Sequence, residues 1–496
     1  MAVFNLILRH ISIIFIFVAN LRHIIMAVFI GRIHEQAELN RFEKSEASEF
    51  VAIYGRRRVG KTFLVREHFA NRFDFYLTGL SNSNTRMQLI NFQLALKQAG
   101  NDDAPVPENW LYAFNELESL LERSGQPKKV VFLDELPWMD TPKSDFISAL
   151  ENFWNSWASA RKDILLIVCG SSTSWMMNKL INSKGGLHNR ITQRIKILPF
   201  TLSECKDYLQ SSNMQWDEYL ITEAYMVFGG IPYYWSLLKK GKSLAQNIDD
   251  LFFNENGLLQ NEFRNLYTAL FRHAEKYIQI VEILASKRKG LTRNEIIKHS
   301  AEKSGGGLSK ILDDLESCGF VRSYQFLDKK QRDRIYQLTD FFTLFYFNFI
   351  QNDNPKSDNY WSSMIDSPVH RAWTGYAFER VCMEHIAQIK QSLGISGVHT
   401  RHASWRSRNS ENGAQVDLII DRNDSVINLC EMKYSINPFV IDKSYAENLR
   451  NKIGTFKQET KTRKSVFLTF ISTFGVKQNE YSGMVQNEIL MQELFR

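Results

Sequence analysis

Apolar residues follow two rhythms along this chain. Short aliphatic and β-branched runs, each closed by glycine or acidic residues, read as buried strands: 51–54 (VAIY), 129–133 (KVVFL) and 164–169 (ILLIVC). Apolar residues then recur at helical spacing, in 63–69 after the first run and again over 277–285. Strands alternating with helices predict an α/β fold with a parallel sheet. Further on, apolar residues at 308, 311, 312 and 315 give one helical face. Near the end, residues 372–390 read as a long helix, and 414–420 and 426–433 as two strands around a turn at 421–424. A polar break at 352–358 (NDNPKSD) separates this last unit from what precedes it.

The first 25 residues break the pattern. The stretch 11–19 (ISIIFIFVA) is apolar, flanked by Arg9, His10, Arg22 and His23, and short for a membrane span. Met26-Ala-Val-Phe repeats the opening Met1-Ala-Val-Phe. Two readings stand: residues 1–25 are an apolar extension that anchors weakly to a membrane, or a mis-called start with Met26 the true one. No stable membrane association is expected of the rest. The 496 residues exceed one core and suit several domains. The 44% hydrophobic and 23% charged fractions are those of an ordinary soluble protein. The formal charge of +7 is mild for this length; it permits contact with nucleic acid without requiring it. Cys169, Cys205, Cys318, Cys382 and Cys430 form no C-x-x-C pair. They point to a reducing compartment, hence a cytoplasmic location, and away from a disulfide framework or zinc site.

The chemistry concentrates first at Gly55-Arg56-Arg57-Arg58-Val59-Gly60-Lys61-Thr62, which is G-x-x-x-x-G-K-[ST] between a predicted strand and a predicted helix. The glycines let main-chain N–H groups turn inward onto phosphate oxygens, and the helix start adds partial positive charge. Lys61 is expected on the β- and γ-phosphates of ATP, and Thr62 on Mg²⁺. The strand 129–133 ends in Asp134 and Glu135 at the edge where ligands bind in open α/β sheets. Asp134 is the expected Mg²⁺ partner and Glu135 the base for the attacking water. The third strand runs into Gly170-Ser171-Ser172-Thr173. These small hydroxyls either sense the γ-phosphate or cap a helix starting near Trp175.

Three further stretches carry a resemblance. Phe29-Ile-Gly31-Arg32 with Glu35, the run from Gly186 through Arg190 and Arg194 to Leu198-Pro199-Phe200, and Gly229-Gly230-Ile231-Pro232 are similar to motifs of the archaeal-type ATPase family, AAA+-like ATPases of the STAND group. The resemblance spans about residues 26–240 and departs at Asn189, where the family has glycine. It implies a P-loop ATPase core over 26–200 and a helical lid over 201–272. It also implies an arginine that senses the γ-phosphate, Arg190 before Arg194.

Over 273–350 the order of helices and strands is similar to a winged helix. Its recognition helix carries Lys310 against Asp313, Asp314 and Glu316, a poor set for phosphate contact, so packing between domains is the expected role. In the last unit, period two puts Glu431 and Lys433 on one face, with Asp417 on the neighbouring strand able to meet them. Two carboxylates beside a lysine could hold a divalent cation and activate water against a phosphodiester. Glu379, Asp417 and Glu431-Met-Lys433 resemble the helical acid, motif aspartate and (D/E)-x-K of the PD-(D/E)XK nuclease-like fold, which would occupy 365–496. Val416 stands where that fold often has proline. The basic stretch 399–408 (HTRHASWRSR) either contacts backbone phosphates or is an exposed loop.

Together these expectations describe a Mg²⁺-dependent ATPase coupled to a metal-dependent nuclease-like domain acting on DNA. The alternative is a nucleotide switch or assembly protein whose C-terminal domain binds nucleic acid or protein without cleaving. DNA and further copies of this chain are the partners left open.

Overall fold

The computed structural model describes residues 30–182, 185–187, 189–287, 290–300, 306–324, 334–351, 359–407 and 413–496. The apolar stretch at 1–25 and the polar break at 352–358 lie outside the described residues.

Five strands build the first sheet: β1 (Glu49–Gly55), β2 (Phe75–Thr78), β3 (Lys129–Asp134), β4 (Ile164–Gly170) and β5 (Gln193–Ile197). All pairings are parallel, in the order β2-β3-β4-β1-β5. The central strands read as unbroken apolar runs because helices cover both faces. Alternation along each strand still divides the core. Val51, Ile53, Phe132 and Ile167 pack into one cluster. Phe50, Ala52, Val131, Leu133 and Leu166 pack into the other, under the helices Thr85–Gln98 and Trp110–Arg123.

The strand order decides where chemistry can happen. In a parallel sheet every carboxyl end points the same way, and β4 lies between β1 and β3. The phosphate loop after β1, the Ser171 turn after β4 and the Asp134-Glu135 pair at β3 therefore stand side by side.

Helices follow from Leu202 to Ala285. Thr201 starts the first with a capping box, its hydroxyl accepting from the Glu204 amide and Glu204 Oε2 accepting from the Thr201 amide. Glu204 Oε1 also accepts from the Arg32 amide at 3.3 Å, tying the chain's entry to this helix. The Phe200 amide donates to Gly230 O at 2.6 Å, joining the exit of β5 to the helical region.

Next come helix Ala274–Ala285, β6 (Leu291–Thr292), helices Arg293–His299 and Gly306–Ser317, then β7 (Val321–Tyr324) and β8 (Ile335–Leu338). The three strands form one sheet in the order β6-β8-β7. The helix Gly306–Ser317 turns Leu308, Ile311, Leu312 and Leu315 inward. It packs against the turn Thr173–Trp175 of the first sheet, where the Cys318 thiol reaches the backbone of Thr173 and Ser174.

The C-terminal unit has helices Pro368–Glu384 and Ile386–Ser392, strands β9 (Thr400–Arg406), β10 (Gln415–Arg422) and β11 (Val426–Lys433), helix Lys443–Thr460, then β12 (Ser465–Ser472) and β13 (Asn487–Leu490). The sheet order is β13-β12-β11-β10-β9; β10 is antiparallel to both neighbours and β12 parallel to both of its own. The helix expected over 372–390 is two helices, broken at His385. The His385 ring is buried and joins elements: Nδ1 donates to Val381 O at 2.7 Å, and Nε2 accepts from the Leu202 amide at 3.0 Å. An apolar cluster runs without interruption from the first sheet through the helical region into this unit, taking in Phe378, Leu418 and Met432.

Candidate functional site

At the carboxyl end of β1 the chain has no room for a side chain. A Cβ on Gly55 (φ 146°) would lie 2.3 Å from Ile197 O. Gly60 opens the helix Lys61–His68 from the left-handed region, at φ 88°. Between them the backbone curls as the motif requires. Lys61 is buried and its Nζ donates to Gly55 O at 3.0 Å and Arg56 O at 2.7 Å, so the ammonium closes the loop on itself.

Thr62 Oγ1 donates to Asp134, 2.9 Å from one carboxylate oxygen and 3.1 Å from the other. Asp134 is 3% exposed; burial, with Glu135 beside it, raises its pKa, against hydrogen bonds from Thr62 and the Glu135 amide. A hydroxyl and a buried carboxylate short of positive charge are the oxygen donors a Mg²⁺ ion takes. Glu135 sits at φ 49°, an uncommon left-handed conformation for this residue type, which turns its side chain toward β4. There Glu135 Oε2 accepts from the Ser171 amide at 3.1 Å and the Ser171 hydroxyl at 2.8 Å. Ser172, the residue before the helical turn Thr173–Trp175, makes no side-chain cap.

A cavity of about 320 Å³ opens beside Gly60, lined by Ile30, Arg32, Val59, Phe63, Phe200 and Tyr208 among others. Arg32 lies across it, its guanidinium 4.9 Å from the Phe200 ring centroid and Nη2 3.4 Å from Val59 O. The space is apolar and ring-lined, contiguous with the phosphate loop, as a nucleoside base requires. Residues 29–238 match a family model described as an ATPase domain predominantly from Archaea.

This stretch is a P-loop ATPase domain.

An uncharacterized protein of Methanocaldococcus jannaschii is 25% identical over 414 residues, covering 82% of this chain and 88% of its own length. Two solved structures are similar at lower identity. The Walker-type ATPase of Pyrococcus abyssi is 17% identical with a TM-score of 0.48, over 64% of this chain and 96% of that one. The ORC2 protein of Aeropyrum pernix, solved as ADPNP–ADP complexes, is 16% identical with a TM-score of 0.42, over 68% and 96%.

In the ATPase domain, the structure does not bring Arg190 to the phosphate loop. Arg190 is exposed and precedes β5, so it stands at the amino end of the sheet, while Gly55 stands at the carboxyl end. The Thr192 amide donates to Phe50 O, five residues before Gly55, which is roughly 17 Å at ~3.3 Å per residue. Arg194 is opposite Ala52 in mid-strand, with its side chain exposed. The reason is topological: β5 runs parallel to β1, so residues that enter it start from the far end.

Two arginines of the loop are also engaged away from the phosphate position. Arg56 is ion-paired with Asp340 at 2.7 Å, and Arg58 with Glu262 at 2.8 Å. Arg57 is half-buried, and its charge acts on Glu262.

The C-terminal unit gathers a second set. Leu418 is opposite Cys430 on the antiparallel ladder, so Asp417 and Glu431 share a face one step further on. Glu379 comes to them from the helix Pro368–Glu384. Burial first, then the charge of Asp417, push its carboxyl up to about 8, against Arg380 and Lys433. Half-buried carboxylates that repel one another fit a cation.

Even so, among the described residues no group of three or more His, Cys, Asp or Glu is close enough to hold a metal ion. The expected ligand set Glu379, Asp417 and Glu431 is thus not assembled, because Glu431 has other partners. Lys452 Nζ is 2.5 Å from Glu431 Oε1, the Tyr445 hydroxyl donates to Oε2 at 2.9 Å, and Lys433 Nζ is 3.9 Å from Oε2. Asp417 Oδ1 in turn accepts from Gln415 Nε2 at 2.6 Å.

Sequence reasoning passed over Tyr445 and Lys452. Both flank the stripe Ala446, Leu449, Ile453 and Phe456 that the helix Lys443–Thr460 turns to the sheet. That spacing of three and four was the available signal.

Proposed function

We propose that the chain hydrolyses ATP at the loop 55–62 and uses the cycle to control a metal-dependent, nuclease-like C-terminal unit that acts on DNA. The observation that carries the hydrolytic half is the meeting of three strand ends: Lys61 in the loop, Asp134 on Thr62, and Glu135 on Ser171.

In this reading the inward main-chain amides of the loop bind the phosphates, and Lys61 leaves the carbonyls of Gly55 and Arg56 for the β- and γ-phosphates. Thr62 and Asp134 would hold Mg²⁺, which supplies positive charge at the bridging phosphates when bound. Glu135 leaves Ser171, orients a water in line with the γ-phosphorus and accepts its proton. The water oxygen bonds to phosphorus as the bridge to the β-phosphate breaks, giving ADP and phosphate. Ser171, freed of Glu135, has its hydroxyl beside the γ-phosphate. The base takes the apolar space around Arg32 and Phe63.

Support for the C-terminal half is the half-buried Glu379 beside Asp417, with Lys433 across from them. Glu379 and Asp417 would hold the cation and Lys433 would face the scissile phosphate. Glu431 joins only after parting from Lys452 and Tyr445. That same pairing favours the second reading, a nucleotide-driven switch or assembly protein whose C-terminal unit binds without cleaving.

A cleavage assay with Mn²⁺ or Mg²⁺ on duplex and single-stranded DNA separates them. Cleavage by the wild type, lost in Asp417→Ala and Lys433→Ala with ATP turnover intact, is the expected result. Equal products from all three proteins would remove the nuclease reading. ATP-dependent change of size without cleavage would favour the switch.

A further inference from the structure

The two arginines turned away from the phosphates are held by carboxylates from different downstream regions. Arg56 meets Asp340, the cap of the helix Phe341–Phe345 that follows β8; side-chain exposures are 8% and 2%. Asp340 is itself fixed, its second oxygen accepting from the Thr343 amide at 3.0 Å. The Arg56 guanidinium lies 4.6 Å from the Phe320 ring centroid. Arg58, a non-glycine residue at φ 70°, meets Glu262 in the first turn of the helix Glu262–Leu270. Glu262 is 2% exposed and accepts from the buried Tyr234 hydroxyl at 3.1 Å, and Arg58 lies 4.0 Å from the Tyr233 ring centroid.

We infer that Glu262 and Asp340 are positioning residues for the phosphate loop. They act through Arg58 and Arg56, and make the loop's catalytic geometry depend on the helical region and the three-stranded module remaining docked. The restraint is electrostatic as well as steric. Buried ion pairs hold only in a narrow geometry, so the two pins fix the loop's backbone from outside its own sheet. They also remove two cations from competition for the triphosphate, leaving Lys61 and the main-chain amides to set its register. An arginine released from its carboxylate would still attract phosphate, but out of register with Glu135.

The expected signature is therefore a split. In Glu262→Gln and Asp340→Asn, kcat for ATP falls roughly 10–100-fold, the scale of a small misplacement at a reacting centre. The Kd for ATP, from calorimetry on the full chain, stays within about threefold or tightens, as expected for cations freed beside a polyanion. Removing the freed charge in Arg58→Met/Glu262→Gln restores part of kcat, so the double mutant is non-additive.

A merely structural role would instead lower the melting temperature and weaken affinity and turnover together, and that result overturns the inference. If Asp340→Asn does not fold, the more exposed Arg58 pair decides alone. The inference rests on the hydrolytic reading above. A wild type that hydrolyses no ATP overturns that reading. A wild type that does, with kcat unchanged in both variants or with additive double mutants, overturns the positioning role and leaves the reading standing.

Discussion

Two acidic pairs sit in this chain under opposite arrangements. Asp134 and Glu135 are consecutive in sequence, and each is engaged by a hydroxyl: Asp134 by Thr62, in the first turn of the helix after the phosphate loop, and Glu135 by Ser171, just after β4. Glu379 and Asp417 lie on a helix and a strand 38 residues apart, and their repulsion is balanced by Arg380, beside Glu379 on its helix, and by Lys433 from β11. The first pair is organised by hydrogen bonds that a parallel sheet supplies wherever its carboxyl ends align. The second depends on the packing of a whole domain. Damage to the first should therefore act on chemistry alone, while damage to the second mixes chemistry with assembly.

The largest expected effect tests the first half of that contrast. Lys61→Ala should lose most phosphate affinity and reduce turnover below detection. Glu135→Gln should bind ATP with wild-type affinity and hydrolyse it roughly 10²–10⁴-fold more slowly. Phosphate release beside calorimetry separates the two; normal turnover in Glu135→Gln would take that residue out of the base role. Ser171→Ala should cost less, because the Ser171 hydroxyl neither attacks nor takes the proton in the proposed step, and the amide bond that holds Glu135 beforehand survives the change. Asp417→Ala should leave ATP turnover within about threefold, as befits a site reached only through domain packing. A collapse of turnover in this variant would show that the two sites are not separable.

The same contrast explains what the sequence could disclose. Strand, loop and helix at 49–68 are contiguous, and so is Asp134-Glu135 at a strand end; local periodicity and turn chemistry are enough to see them. Glu431 and Lys433 fall on one face by period two, and their 3.9 Å contact follows from that. What escaped is set by contacts distant in sequence. Nothing near Arg56 or Arg58 points to Asp340 or Glu262, hundreds of residues on. The break at His385 lies inside a helical pattern that runs past it, and the partner its ring finds there, the Leu202 amide, is far away in sequence. Glu431 was expected to ligate a metal; its engagement by Lys452 and Tyr445 depends on how a helix packs on the sheet.

A medium effect sharpens the assembly side. Burial pushes the His385 pKa down to about 4, below the ordinary ~6.5, against its bond to Val381. As pH falls from about 6.5 to 4, the unfolded chain takes up a proton that the folded chain refuses. Stability present above pH 6.5 is therefore lost across that interval, by about 3 kcal/mol in full. Because the ring joins the C-terminal helix to Leu202, the loss should fall on that junction. Denaturant titrations at pH 7 and 4.5 should show it in the wild type and show a flatter response in His385→Gln, which keeps an acceptor without titrating. Identical pH profiles would place the acid sensitivity elsewhere.

The smallest effect concerns the arginine that topology removes from the site. Arg190 is exposed at the amino end of β5, five residues of β1 and more away from the phosphate loop, further than its side chain extends. If each chain works alone, Arg190→Ala should leave kcat and KM within about twofold of wild type, since no phosphate oxygen in its own site is within reach. A second copy changes the geometry, because an exposed cation on one chain can enter the crevice of another. Turnover per chain should then rise with protein concentration in the wild type and not in the variant. Measuring both proteins across a hundredfold dilution decides the matter. A flat, superimposable pair of curves leaves Arg190 a surface residue. A wild-type rise that Arg190→Ala abolishes would make the ATPase site, unlike the C-terminal one, a property of two chains.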